Sequence, residues 1–132
     1  MADPRIVGEW LDKAEQDYFF AEANLKENSF FYAQICFHFQ QSAEKYLKAF
    51  IIAHDSELEK IHNLIYLLKT CQKIEPSLAS LYDDCELLNA AYIDTRYPVH
   101  WPTNYTNEKA LQAKEAVLRI SEKVRSLLAG EE

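Results

Sequence analysis

The sequence predicts an all-α fold, an up-and-down bundle of four to five helices that fills residues 1–132 as one domain. Three observations predict it. Apolar residues recur at alternating spacings of three and four in five separate segments, the signature of helices with one buried stripe. Glycine occurs only at Gly8 and Gly130, which removes the usual material for hairpin turns and for a Gly-rich phosphate loop. Nearly half of the 132 residues are apolar and aromatics are plentiful, enough for one true core. A domain of this size buries roughly two-thirds of its unfolded surface.

The first helix is opened by Asp3 as N-cap with Pro4 in the first turn. It carries Val7, Leu11, Ala14, Tyr18, Ala21 and Leu25 on one stripe. The second repeats the spacing with Tyr32, Cys36, Phe39, Ala43, Tyr46 and Phe50, with Ser29 as its expected cap. Phe31, Ile35, Leu47 and Ile51 widen its apolar face, which marks it as the central helix. A break is expected from about Asp55 to Ile61. A shorter helix then bears Leu64, Leu67, Leu68 and Cys71. Pro76 restarts the chain into a fourth helix with Leu78, Leu81, Cys85, Leu88 and Tyr92. The fifth helix aligns Ala110, Ala113, Val117, Ile120, Val124 and Leu127. Thr106 is its expected cap, and Tyr105 and Ala110 are placed as a hydrophobic staple.

Charge bounds the function. A net charge of −7 argues against a nucleic-acid platform covering the whole surface. The balance is uneven, because six basic residues face three acidic ones between Arg96 and Arg125, so a local basic face on the last helix stays open. Cys36, Cys71 and Cys85 form an odd set without C-x-x-C spacing and fall on apolar stripes, as reduced core residues do. Met1-Ala2-Asp3-Pro4-Arg5 has no signal-peptide pattern and no apolar run reaches membrane-spanning length, so a cytoplasmic protein with no membrane contact is expected.

One segment departs from the short loops of a bundle, which usually take about two to eight residues. The connection from Asp94 to Asn107 holds Arg96, Tyr97, Pro98, His100, Trp101, Pro102 and Tyr105, and its prolines make it stiff. Arg96 and His100 are its sharpest pair. A guanidinium holds a phosphate by two hydrogen bonds, and an imidazole moves a proton near neutral pH. Together they suffice for metal-independent RNA cleavage. The competing reading has Arg96 capping helix four or pairing with Asp94, with His100 an ordinary loop residue.

Gln41, Glu44, Lys45 and Lys48 stack along one side of helix two. They suit a ligand groove, a dimer seam, or an exposed face of ordinary ion pairs. No metal site and no cofactor is expected. Glu59 and His62 have Glu-x-x-His spacing but occur once, while His38 and His54 stand apart. Ser, His and Asp residues lack the strand-elbow context of a nucleophile. Tyr18-Phe19-Phe20 and Phe30-Phe31-Tyr32 read as core and interface packing.

Four motifs in order carry a resemblance. They are Trp10-Leu11-x-x-Ala14-x-x-Asp17, the run Gln40-Gln41-Ser42-Ala43-Glu44-Lys45-Tyr46-Leu47-Lys48-Ala49, His62-Asn63-Leu64, and Tyr92-Ile93-Asp94-Thr95-Arg96-Tyr97-Pro98. On these the chain resembles the HEPN family, over nearly its whole length. The resemblance implies a helical bundle that works as a homodimer, often encoded beside a small nucleotidyltransferase. Some members resemble metal-independent ribonucleases or toxins, with an Arg, four to six residues, then a His. Others lack that signature and bind nucleotides or partner the transferase.

Here only Tyr97, Pro98 and Val99 separate Arg96 from His100. A one-residue shift on a stiff backbone re-aims an imidazole by more than catalytic geometry tolerates. The expectation is therefore a nucleotide- or RNA-phosphate-binding module, the partner of a nucleotidyltransferase in a toxin–antitoxin-like pair. Arg96 and Tyr97 would bind phosphate, with Gln41, Lys45 and Lys48 contributing. The alternatives are an endoribonuclease toxin using Arg96 and His100, and a purely structural interaction domain.

Overall fold

The computed structural model describes residues 2–27, 30–96 and 105–130, with the backbone alone described for 92–96. Among the described residues five α-helices follow one another: α1 (Pro4–Lys26), α2 (Tyr32–Ala53), α3 (Leu64–Ile74), α4 (Tyr82–Arg96) and α5 (Asn107–Leu128). No strand occurs among the described residues.

The expected caps at the first and last helices form. Asp3 accepts a hydrogen bond from the Arg5 backbone N–H at 2.9 Å, with Pro4 in the first turn where its missing N–H costs nothing. Thr106 Oγ1 accepts from the Lys109 N–H at 3.2 Å. Tyr105 packs half-buried against the core and Ala110 is fully buried, as a staple requires. Asn63 opens α3, its Oδ1 accepting from the N–H groups of Ile65 and Tyr66. After α2, Asp55 adopts the left-handed conformation (φ 57°), and the Ser56 N–H reaches back to the Ile51 carbonyl, closing the helix end.

Three expectations are corrected. Helix α2 is capped by Phe31, which makes no side-chain cap bond, and Ser29 lies outside the described residues. Phe31 is 68% exposed rather than part of the buried face, because it precedes the first helical turn and its direction is not set by the stripe. At Pro76 the chain first forms a 3-10 helix over Pro76–Leu81 before α4 begins. Three residues per turn bring Leu78 and Leu81 to the same side, and both are buried.

Helix α2 is central as expected, and alone packs against each of the other four helices. Its neighbours run α1, α5, α4, α3 around it, and α1 does not touch α3. Contacts fix the directions. Ser42 Oγ donates to the Ala14 carbonyl at 2.7 Å while His38 lies against Phe20, so α1 is antiparallel to α2. The Arg125 guanidinium sits 5.5 Å over the Tyr46 ring, and Lys109 shares a groove with Cys36, so α5 runs parallel to α2. Ala91 shares that groove, while the Cys71 thiol near Cys85 donates to the Leu47 carbonyl, so α4 is antiparallel. The end of α1, the start of α2, the end of α4 and the start of α5 therefore meet at one pole.

Candidate functional site

One strip of α2, the strip that carries Gln41, Glu44, Lys45 and Lys48, faces the gap between α1 and α3. It is not an exposed face. Glu44 and Lys48 are 4% and 6% exposed, and the neighbouring Gln40 is fully buried. Buried charges persist only when paired, and here each is. Lys48 Nζ donates to Glu44 Oε2 at 2.9 Å. His62 Nδ1 lies 3.1 Å from both Glu44 oxygens. A carboxylate offers only lone pairs, so this nitrogen carries the proton. The Trp10 ring stands 6.0 Å from the Lys48 ammonium.

The network continues on both sides. Gln40 Nε2 donates to the His62 carbonyl at 3.3 Å, and Gln41 Nε2 donates to Gln40 Oε1 at 2.7 Å. Asn89 of α4 accepts from the Leu64 N–H at 2.9 Å. Toward α1, Lys45 pairs with Asp17, whose other oxygen lies 3.8 Å from His38 Nδ1. That nitrogen is buried without a hydrogen bond. Three of the four motifs thus converge on one cluster, which ties α1 and the segment before α3 to the central helix. Lys45 and Lys48 have their charges committed to Asp17 and Glu44.

The second candidate lies at the pole. Helix α4 runs through Arg96, so this residue ends a helix rather than standing two residues inside a loop. Tyr97 and His100, with Pro98, Trp101 and Pro102, lie outside the described residues. Just before that helix end, a groove of about 250 Å³ opens between α4 and α5. Cys36, Leu88, Ala91 and Ala113 form its apolar floor, and Tyr105, Lys109 and Gln112 edge it. The Lys109 ammonium sits 5.7 Å over the Tyr105 ring. Burial pushes the Cys36 thiol up to about 11, against the pull of Lys109, so it lines the groove as a neutral group. Lys109 and Gln112 were not singled out by sequence reasoning. The one signal was the basic excess after Arg96.

Glu59 accepts from the Tyr66 hydroxyl, while His62 faces Glu44. No group of three or more potential metal ligands occurs among the described residues. Nor is any described helix long and apolar enough to cross a membrane. All three cysteines are buried and unpaired.

The family model described as HEPN domain matches residues 7–127. The chain belongs to the HEPN domain family. Its bundle is similar to the crystal structure of TT1696 from Thermus thermophilus, with a TM-score of 0.80 and 27% identity over 91% of this chain and 96% of that one. It shares its fold with ST0689, described as an archaeal HEPN homologue, at a TM-score of 0.73 and 23% identity, over 92% and 97% of the two chains. No match was found among curated proteins. In HEPN terms, the motif residues Trp10, Asp17, Gln40, Glu44, Lys48 and His62 lie in the internal cluster, and Arg96 lies at the pole beside the groove.

Proposed function

We propose that this HEPN domain binds a nucleotide or an RNA phosphate at the pole, as the homodimeric partner of a nucleotidyltransferase in a toxin–antitoxin-like pair. One observation carries the reading: an apolar groove edged by a cation, an aromatic ring and an amide lies on the flank of the helix that ends in Arg96. Arg96 lies five positions beyond Ala91 in the groove wall, about 7.5 Å along the axis. That is within the span of one nucleotide. In this reading Arg96 and Tyr97 hold phosphate, His100 belongs to the same site, and Lys109 adds charge. Gln41, Lys45 and Lys48 face the α1–α3 gap rather than the α4–α5 groove, and both lysine charges are paired there.

The test is calorimetry and thermal shift with nucleoside phosphates and short RNA, on wild type, Arg96→Ala and Lys109→Ala. A ligand at a hundred times its dissociation constant adds about 2.7 kcal/mol of stability. Arg96→Ala is expected to abolish that gain and Lys109→Ala to reduce it. Binding undiminished by Arg96→Ala refutes the proposal. Metal-free RNA cleavage lost in both Arg96→Ala and His100→Ala replaces it with the endoribonuclease reading.

A further inference from the structure

The groove between α4 and α5 has a direction. Helix α5 runs away from the pole, so Lys109 stands nearer the pole than Gln112, by three positions or about 4.5 Å along the axis. That spacing puts both side chains on one face of the helix, in line along the groove's edge. The lining holds no Asp or Glu, although the chain carries a net charge of −7. The Lys109 ammonium is placed over the Tyr105 ring. Gln112 is exposed, and among the described residues its amide takes no hydrogen bond, so its donor and its acceptor are both open.

We infer that this groove seats the base of a nucleotide, adenine ahead of the other bases, with the Gln112 amide pairing to the edge of the ring. The inference rests on the phosphate reading above and adds the base to it. The floor of Leu88, Ala91 and Ala113 suits a flat apolar face and offers a bare phosphate nothing. An acyl chain would leave the open amide without a partner. The cation stands at the pole end, toward Arg96, and the amide at the far end. The matching ligand has apolar faces, a hydrogen-bonding edge at one end and an anion at the other. A cavity of about 250 Å³ is smaller than the roughly 300–1,000 Å³ of sites for drug-sized ligands, which leaves room for one base and not two.

Edge chemistry selects the base. A glutamine amide presents one donor and one acceptor side by side, and adenine answers with N7 as acceptor and its N6 amino group as donor. Guanine presents two acceptors there, N7 and O6, so the Gln112 oxygen would face a lone pair. Cytosine and uracil are single rings and cover less of the apolar floor.

The test is isothermal titration calorimetry of the adenine, guanine, cytosine and uracil nucleoside monophosphates against wild type, Gln112→Leu and Arg96→Ala. Gln112 is exposed, so leucine there leaves the core intact, and circular dichroism checks the fold of each variant. Wild type is expected to bind the adenine nucleotide roughly five- to thirtyfold more tightly than the guanine nucleotide, the discrimination of one bidentate amide–adenine pair. Gln112→Leu is expected to erase that preference and keep residual affinity for all four, while Arg96→Ala weakens all four alike. Four equal affinities that fall together in Arg96→Ala overturn the base assignment and leave the phosphate reading standing. A guanine preference gives the ring edge to Lys109 and likewise overturns it, as does an adenine preference that survives Gln112→Leu. A wild type that binds none of the four overturns both.

Discussion

Replacing Glu44 with leucine tests whether the α2 strip is an internal strut. The carboxylate is 5% exposed, takes the Lys48 ammonium at 2.9 Å and faces His62 at 3.1 Å. Glu44→Leu leaves that ammonium, itself 7% exposed, with no counter-charge in a dry setting. Breaking a buried pair by removing one partner costs about 3–5 kcal/mol. That is a large share of a domain's total stability of about 5–15 kcal/mol. For a chain of this length each kcal/mol moves the midpoint by about 3–5 °C, so melting is expected to fall by roughly 10–20 °C. The companion variant Glu44→Leu/Lys48→Met removes both charges and keeps the volume, so it should recover most of the loss. Urea titration of wild type, both singles and the double measures the coupling. A Glu44→Leu loss below about 1 kcal/mol, or a double variant as unstable as the summed singles, would refute the assignment of a buried pair.

Four further outcomes follow from the same structure. Thr106→Ala removes the α5 cap and should cost about 1 kcal/mol in urea unfolding, with Thr106→Ser restoring most of it. Burial pushes the Cys36, Cys71 and Cys85 thiols up to about 11, 12 and 12, so a thiol reagent at pH 8 should label none of them until denaturant is added. Because those folded values exceed the unfolded value of 9.0, the unfolded chain loses its protons first. Stability should therefore decline as pH rises above 9, by up to about 1.4 kcal/mol per pH unit per thiol, and Cys→Ser variants should flatten that decline. Arg119→Ala removes a pair with Asp84 that joins α5 to α4, but the arginine is 56% exposed. Its loss should cost less than about 1 kcal/mol.

Helices, caps and the central place of α2 were legible because they follow from local chemistry: spacing, Asp3, Thr106 and a broad apolar face. Phe31 was misplaced because a helix stripe says nothing about the residue before its first turn. The polar strip was harder for a physical reason. Periodicity sorts residues into apolar and polar sides, and it assigns a polar side to water. Glu44 and Lys48 are buried because α1 and α3 flank a narrow gap that Trp10 and His62 help to close, an arrangement of distant segments. The α4–α5 groove is likewise tertiary. Tyr105 stood out as a staple, but Lys109 and Gln112 gain meaning only when Ala91 and Cys36 stand opposite them.

The central position of α2 also shapes how the chain is made. A ribosome finishes Ala53 about 75 residues before Leu128, an interval of roughly 4–15 s at usual synthesis rates. Throughout that time the flank of α2 destined for α5 has no lid. The nascent chain passes through a stage in which Cys36 and Tyr46, which face α5, are only partly sheltered, and arrival of α5 ends it. Chaperone demand should accordingly rise sharply for variants that delay or weaken α5, even when those variants leave the finished protein's activity untouched.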